Sequence, residues 1–181
     1  MNRDTALALV KQNVKNKNLI KHMLATEAIM RALAEHFKED VDEWGLAGLL
    51  HDLDYDETFD RPDVHGLRTA GMLEDTDVAP EVTHAILAHA VKVPIESLMD
   101  KTLYATDPLT GFLVACALMT SDKKMASTTV DFALRRFKEK AFAKGASREQ
   151  MASCESFGFT LDEFIGLGIQ AMTAAAGDIG L

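Results

Sequence analysis

The sequence contains little cysteine: only Cys116 and Cys154 occur among its 181 residues. They do not form the CxxC spacing of a thiolate metal site or of a thiol redox motif. The spacing therefore argues against sulfur-based metal binding. We expect a buried, reduced thiol at each position, as in proteins of a reducing compartment.

Long apolar runs and an excess of basic charge are also missing. No apolar run approaches the ~18 residues that a membrane-spanning helix needs, and Met1 leads into the polar residues Asn2, Arg3 and Asp4. We expect a cytoplasmic protein with no membrane partner. The net charge of −9 argues against a nucleic-acid polymer as partner, because binding its phosphates requires a basic surface. A small nucleotide stays possible as a ligand.

Strand signals are scarce, whereas apolar residues recur at helical spacing. With 48% apolar and 26% charged residues, the chain has the composition of a soluble globular protein. We predict one all-α domain over residues 1–181, a bundle of about eight helices without repeats or linkers. Its core covers residues 18–120, and a helical extension covers about 126–176. The main predicted helices cover residues 4–14, 18–37, 42–52, 64–74, 80–90, 95–119, 129–143 and 161–175. A capping box at Ser147–Gln150 predicts one more helix start, and the tail 177–181 is expected to fray.

Pro108 lies inside the predicted helix 95–119. Proline removes a backbone hydrogen bond and clashes with the preceding turn, so we expect a kink or a helix restart there. Asp107 then either turns its carboxylate inward or caps the helix that starts at Pro108. Gly111 and Ala115 are expected to let the following segment pack closely on the His51 helix.

The stretch from Gly48 to Asp56 joins a hydrophobic helix end to His51, Asp52 and further acidic residues. A neutral imidazole and a carboxylate are ligands for Mn, Fe, Zn or Mg rather than Cu(I). By itself, the pair is also consistent with two exposed, solvated side chains. The rest of the chain decides between these interpretations.

Further histidines lie on other predicted helices, in the order His … His-Asp … His … His … Asp. This order on an all-helical chain resembles the HD superfamily of metal-dependent phosphohydrolases. The resemblance rests on Leu49–Asp52 at a helix end and on Leu103–Gly111 around the last aspartate. The segment Phe137–Ala143 is similar to the tail of small bacterial HDIG-type proteins. The chain departs from that label, because Leu53–Asp54 replaces its Ile-Gly.

The resemblance implies a ligand set. His22, His51, Asp52 and Asp107 would hold one divalent metal (Mn, Fe, Co, Ni, Zn or Mg). Two more histidines match those of dinuclear members, including enzymes that hydrolyse diadenosine tetraphosphate, and Asp52 would then bridge two ions. These additional ligands are His65 and His89, whereas His36 and His84 are expected at the surface.

Candidate catalytic and phosphate-binding residues follow from the same resemblance. Asp52 is one catalytic candidate. Asp56 is another, because acidic residues here act on the substrate or leaving group in HD enzymes with a His-Asp-x-x-Glu-Asp pattern. Tyr55 replaces the glutamate of that pattern, which leaves the role of the neighbouring aspartates open. Asp56 or Asp54 serves as a proton donor or orients a metal ligand, or else the acidic residues simply mark a helix end. Basic side chains near the tail are expected either to contact phosphate or to be solvated. Lys124 and Lys140 are the foremost of this group, which consists of Lys123, Lys124, Arg135, Arg136, Lys138, Lys140 and Lys144.

The function predicted from these features is a metal-dependent phosphohydrolase that acts on a small phosphate ester or nucleotide through a metal-activated water. Two alternatives stay open. One is a catalytically silent HD module that binds a nucleotide or a partner as a sensor. The other is an HD-fold oxygenase with a di-iron centre. The sequence names neither the substrate nor the native metal, and a homo-oligomer is compatible with it.

Overall fold

A computed structural model describes residues 1–181, and every regular element in it is helical. This confirms the predicted all-α class. None of the helices has both the length and the apolar character needed to cross a bilayer. The helices are α1 Arg3–Asn13, α2 Lys17–Phe37, α3 Val41–Leu50, α4 Tyr55–Thr58, α5 Leu67–Leu73, α6 Pro80–His89, α7 Leu98–Leu118, α8 Val130–Phe137, α9 Arg148–Ala152, α10 Leu161–Ala174 and α11 Ala176–Ile179, with 3₁₀ turns at Met125–Ser127 and Ser153–Phe157.

The helix count exceeds the predicted eight because several elements are only four or five residues long. Elements this short carry no readable apolar periodicity. The start of α9 was nevertheless predicted, because Ser147 caps it as expected. Three long helices start one residue or so earlier than expected, since the preceding polar residue accepts the first free backbone amides. These caps are Asn2, Asn16 and Asp40.

Helices α2, α3 and α7 form the centre of the bundle, and α2 and α3 approach one another closely at Gly48. A Cβ atom at Gly48 would lie 2.8 Å from the backbone of Glu27 and Thr26. Only glycine fits this approach without displacing backbone, which makes Gly48 the residue that sets the spacing of the two helices. The spacing brings the end of α3 beside His22 of α2. The largest fully buried side chains include Met23, Ile29, Met30, Leu33, Leu49, Leu50, Ile86, Leu103, Leu109, Phe112 and Phe164.

Helix α7 runs without interruption through Pro108, so the predicted helix restart is wrong. The helix is buried along most of its length, including Leu103, Leu109 and Phe112. Burial of this extent outweighs the ~3 kcal/mol that an interior proline costs. Asp107 is consequently an interior helix residue and not an N-cap, which removes the capping interpretation of its carboxylate.

The C-terminal part departs from two further expectations. Helix α8 ends at Phe137 instead of near residue 143, and residues 138–146 form a series of turns. The tail does not fray at residue 177, because α11 packs on α2 and buries Ile179. The prediction for the cysteines is confirmed: Cys116 and Cys154 are buried and unpaired, and burial raises the pKa of each thiol to about 11.

Candidate metal centre

Six side chains that the sequence analysis assigned to metal binding lie together where α2, α3, α6 and α7 meet. Each helix contributes from a different direction, and the turns after α3 and before α5 complete the group. The group consists of His22 in α2, His51 and Asp52 after α3, His65 before α5, His89 at the end of α6 and Asp107 in α7.

The first part of the cluster joins His22, His51, Asp52 and Asp107. The Nε2 atoms of His22 and His51 are 3.1 Å apart, and Oδ2 of Asp52 lies 3.5 Å from each of them. Oδ1 of Asp107 lies 3.2 Å from Nε2 of His22 and 3.8 Å from Nε2 of His51. Ligand atoms bound ~2.1 Å from one ion are separated by distances of this size. The four side chains therefore have the spacing of a metal-ligand set.

The second part of the cluster faces the other oxygen of Asp52. Oδ1 of Asp52 lies 3.5 Å from Nε2 of His65 and 3.7 Å from Nε2 of His89. His51, Asp52 and His89 also form a group whose ligand atoms all lie within 4.8 Å of one another. The two carboxylate oxygens of Asp52 thus face two different sets of imidazole nitrogens.

Hydrogen bonds at the opposite ring nitrogen orient two of the histidines. Nδ1 of His51 donates to the carbonyl oxygen of Gly48 at 2.8 Å, and Nδ1 of His89 donates to that of Ile86 at 2.5 Å. A carbonyl oxygen only accepts, so the proton is on Nδ1 in both rings and Nε2 presents a lone pair. This is the tautomer that a metal-binding histidine needs.

The other two histidines are oriented by side chains. Nδ1 of His22 lies 2.7 Å from the hydroxyl oxygen of Thr110, whose own hydrogen goes to the carbonyl oxygen of Asp107. That hydroxyl oxygen therefore accepts from His22. Nδ1 of His65 donates to Oδ1 of Asp54 at 2.8 Å. Both rings consequently present an Nε2 lone pair to the cluster.

Asp54 is buried and receives several donors besides His65. Its Oδ2 accepts from the backbone amides of Gly66 at 2.9 Å and of Thr69 at 3.2 Å. Burial alone raises the pKa of this carboxyl group, but His65 and the two amides together hold it below its ordinary value. Gly66 adopts a φ of 79°, and a Cβ there would lie 2.8 Å from that of Ala90. The turn that carries His65 therefore depends on glycine, which is why α5 begins three residues later than predicted.

The chemistry of the cluster fits a divalent metal. With their protons on Nδ1, the four imidazoles turn Nε2 lone pairs toward two carboxylates, and Nε2 of His89 is buried with no partner. Only a cation satisfies such a set, and nitrogen and oxygen ligands without thiolate suit Mn, Fe, Co, Ni, Zn or Mg. Without metal, a proton takes this place at His22: burial lowers its pKa, but hydrogen bonds to Asp107 and Asp52 raise it to about 10.

A cavity of about 490 Å³ opens onto the cluster. Gly111 lines it, and a Cβ at Gly111 would touch nothing within 4 Å, so this glycine keeps the cavity open and does not serve close helix packing as expected. Tyr55, 40% exposed, places its ring centroid 5.2 Å from that of His65. The cavity is lined by His22, Asp52, His65 and Asp107 together with Leu19, Tyr55, Pro108, Gly111, Ala115, Ala143, Lys144, Gly145, Ala146 and Gln150.

Asp56, predicted as a catalytic residue, does not line this cavity. Its Oδ2 accepts from the backbone amides of Lys15 at 2.6 Å and Asn16 at 3.0 Å, which ties α4 to the turn between α1 and α2. Two residues earlier, Asp54 orients His65, which is one of the roles that the sequence left open for this acidic group. A catalytic role for Asp56 stays a prediction.

Lys124 and Lys140 are exposed and do not line the cavity either, so the phosphate contacts expected from them also stay a prediction. The lysine that lines the cavity is Lys144, a member of the same basic group that the sequence analysis placed behind Lys124 and Lys140. The sequence likewise did not identify Thr110 as the partner of His22. Its position one helical turn after Asp107 was the available signal, because residues three apart share a helix face.

Comparison with protein families identifies the class of the chain. A family model of the HD domain matches residues 19–126, well over half of the sequence, and the chain belongs to the HD domain family. The matched segment contains all six residues of the cluster. It ends before Phe137–Ala143, the tail on which the resemblance to HDIG-type proteins depends. No curated protein and no solved structure gives a significant match.

Proposed function

We propose that this chain is a metal-dependent phosphohydrolase that acts on a small phosphate ester or nucleotide. The observation that carries the proposal is the convergence of four Nε2 lone pairs and two carboxylates at one wall of an open cavity. Divalent ions held there supply Lewis-acid activation of water and neutralise charge on phosphate oxygens. The HD family membership supports the same reaction class.

We further propose that the site holds two ions. His22, His51 and Asp107 with Oδ2 of Asp52 would form one set, and His65 and His89 with Oδ1 of Asp52 would form the other. Both carboxylate oxygens of Asp52 are then used as ligands. This makes Asp52 the residue whose loss affects both ions, and we place it at the centre of the catalytic machinery.

The other residues of the cavity orient ligands and receive the substrate. The acceptors at Nδ1 of the four histidines fix their rings before metal or substrate binds, which lowers the reorganisation needed at the site. Gly111 leaves space next to Asp107. Tyr55 presents an aromatic face at the rim, which suits stacking of a nucleobase.

The test is phosphate release from a panel of nucleotides and simple phosphate esters with Mn, Fe, Co, Ni, Zn or Mg. We expect release that depends on metal and that Asp52→Ala abolishes together with bound metal. His36→Ala is the matched control, because it removes an exposed histidine of α2 that lies outside the cluster.

Two outcomes would replace the proposal. Tight nucleotide binding without hydrolysis under every metal would identify a silent sensor module. Oxygen consumption by the iron-loaded protein, with the absorption band of a di-iron centre, would identify an oxygenase. The same nitrogen and oxygen ligands serve all three functions.

A further inference from the structure

Lys144 is the only lysine or arginine that lines the cavity of the metal centre. It is exposed and takes part in none of the ion pairs formed by lysine, arginine and amino-terminal groups. A lysine ammonium offers three hydrogen-bond donors and no acceptor. Its charge is therefore available to an anion that enters the cavity.

The loop that carries Lys144 has an unusual conformation. Residues 138–146 form turns without a helix, and Ala143, which precedes Lys144, has a φ of 45°. A positive φ is uncommon for a residue with a Cβ and persists only where the surroundings impose it. The conformation at Ala143 therefore requires an interaction that holds this loop in place.

That interaction is made by Arg148, the first residue of α9. Its guanidinium donates to four backbone carbonyl oxygens: to Phe137 at 3.1 Å, Phe142 at 2.7 Å, Ala143 at 3.2 Å and Ala146 at 2.9 Å. These acceptors lie on both sides of Lys144. The planar side chain of Arg148 thus links the backbone before Lys144 to the backbone after it.

Arg148 is itself fixed by aromatic rings. Its guanidinium carbon lies 4.8 Å from the ring centroid of the fully buried Phe112 in α7 and 5.5 Å from that of Phe137. It forms no ion pair with a carboxylate, so all its hydrogen bonds go to the backbone of the loop and of the last residue of α8. Lysine cannot replace this arrangement, because an ammonium lacks the planar fork that reaches several carbonyls at once.

We propose that Lys144 binds the phosphate group of the substrate and that Arg148 positions Lys144 by holding the loop 138–146 against α7. The inference rests on the proposed function and deepens it. It assigns to Lys144 the role that the sequence suggested for the basic group as a whole and foremost for Lys124 and Lys140. The ligand is a phosphate group bound at the metal-loaded cavity. Arg148 acts through the loop and does not contact the ligand.

The experiment measures binding of inorganic phosphate to the manganese-loaded protein by titration calorimetry, with metal content checked by elemental analysis. Lys144→Ala should weaken phosphate binding roughly tenfold or more, the scale of one lost charge-assisted hydrogen bond, with unchanged metal content. Lys144→Arg should retain most of the affinity. Lys138→Ala is the matched control, an exposed lysine of the same loop that does not line the cavity, and should bind phosphate normally.

The positioning role is tested with a double-mutant cycle. Arg148→Lys should weaken phosphate binding about as much as Lys144→Ala, and the double variant should lose no more than either single one. A purely structural role of Arg148 would instead make the two losses add. Because Lys144 is exposed and unpaired, Lys144→Ala tests the proposal even if Arg148→Lys does not fold.

If Lys144→Ala binds phosphate with an affinity within twofold of that of the unmodified protein, the inference is wrong. It is also wrong if Lys140→Ala loses phosphate affinity and Lys144→Ala does not. The measurement does not depend on turnover. If no substrate is hydrolysed but phosphate binding requires Lys144, the proposed function fails and the phosphate site stands. If hydrolysis is found and Lys144→Ala binds phosphate normally, only the inference fails.

Discussion

Replacing Asp54 by asparagine tests how the second part of the proposed metal centre, which faces Oδ1 of Asp52, is built. In the native protein, Oδ1 of Asp54 accepts from Nδ1 of His65, and Oδ2 accepts from the backbone amides of Gly66 and Thr69. Asparagine offers one accepting oxygen and one donating NH₂ group. The asparagine oxygen should face the two backbone amides, because in the opposite orientation its NH₂ group would face two other N–H donors. The NH₂ group then faces His65.

The consequence is a change of tautomer at His65. Facing a donor, Nδ1 becomes the acceptor, and the proton moves to Nε2, which is the atom aimed at Asp52. Retaining the metal-binding tautomer instead leaves a buried donor unpaired, at a cost of about 1–3 kcal/mol. We therefore expect affinity at the second site to fall roughly tenfold to hundredfold. At a free-metal concentration that just saturates the two proposed sites of the native protein, the metal content of Asp54→Asn should be about one ion instead of about two.

The assay is metal titration of the stripped protein followed by elemental analysis, with the His65 tautomer read from ¹⁵N chemical shifts. Asp56→Asn is the matched control: Oδ2 of Asp56 also accepts from two backbone amides, but outside the cavity, and asparagine keeps an oxygen for both. It should leave metal binding unchanged. An Asp54→Asn protein with two ions at native affinity would refute the assignment of His65 as a ligand oriented by Asp54.

Three further outcomes are expected. Gly48→Ala should lower the free energy of unfolding by about 1–2 kcal/mol in urea denaturation and weaken metal binding. The new methyl group would lie 2.8 Å from the backbone of Glu27 and push α3 away from α2, whereas unchanged stability would show that the helices adjust freely. Gly111→Leu should leave metal content and stability unchanged, since residue 111 faces open space on a helix, but it should raise KM because the new side chain fills the cavity. An unchanged KM would show that the substrate binds elsewhere. Metal loading near pH 8 should release a proton, because His22 has a metal-free pKa of about 10 and is protonated below that pH. The apparent metal affinity should therefore rise with pH. Calorimetry in two buffers of different ionisation enthalpy measures the proton release, and equal heats in both buffers would contradict it.

The all-α class and the set of six side chains that come together in the candidate metal centre were predictable from the sequence. Helical periodicity is a local property, and the order of histidines and aspartates is preserved along the chain whatever its path in space. The burial of both cysteines was predictable for a similar reason, since an isolated thiol without a metal-binding spacing behaves as a small apolar side chain.

Tertiary structure alone decided the details that depend on neighbours distant in sequence. Asp54 and Asp56 look equivalent in the sequence, yet one lies buried under His65 and the other binds the turn before α2. Pro108 continues a helix against its local preference because the packing around it outweighs the lost hydrogen bond. Lys144 lines the cavity from a loop whose backbone carbonyl oxygens accept from Arg148. Such outcomes are set by packing and hydrogen bonding between separate segments, which residue type and spacing do not encode locally.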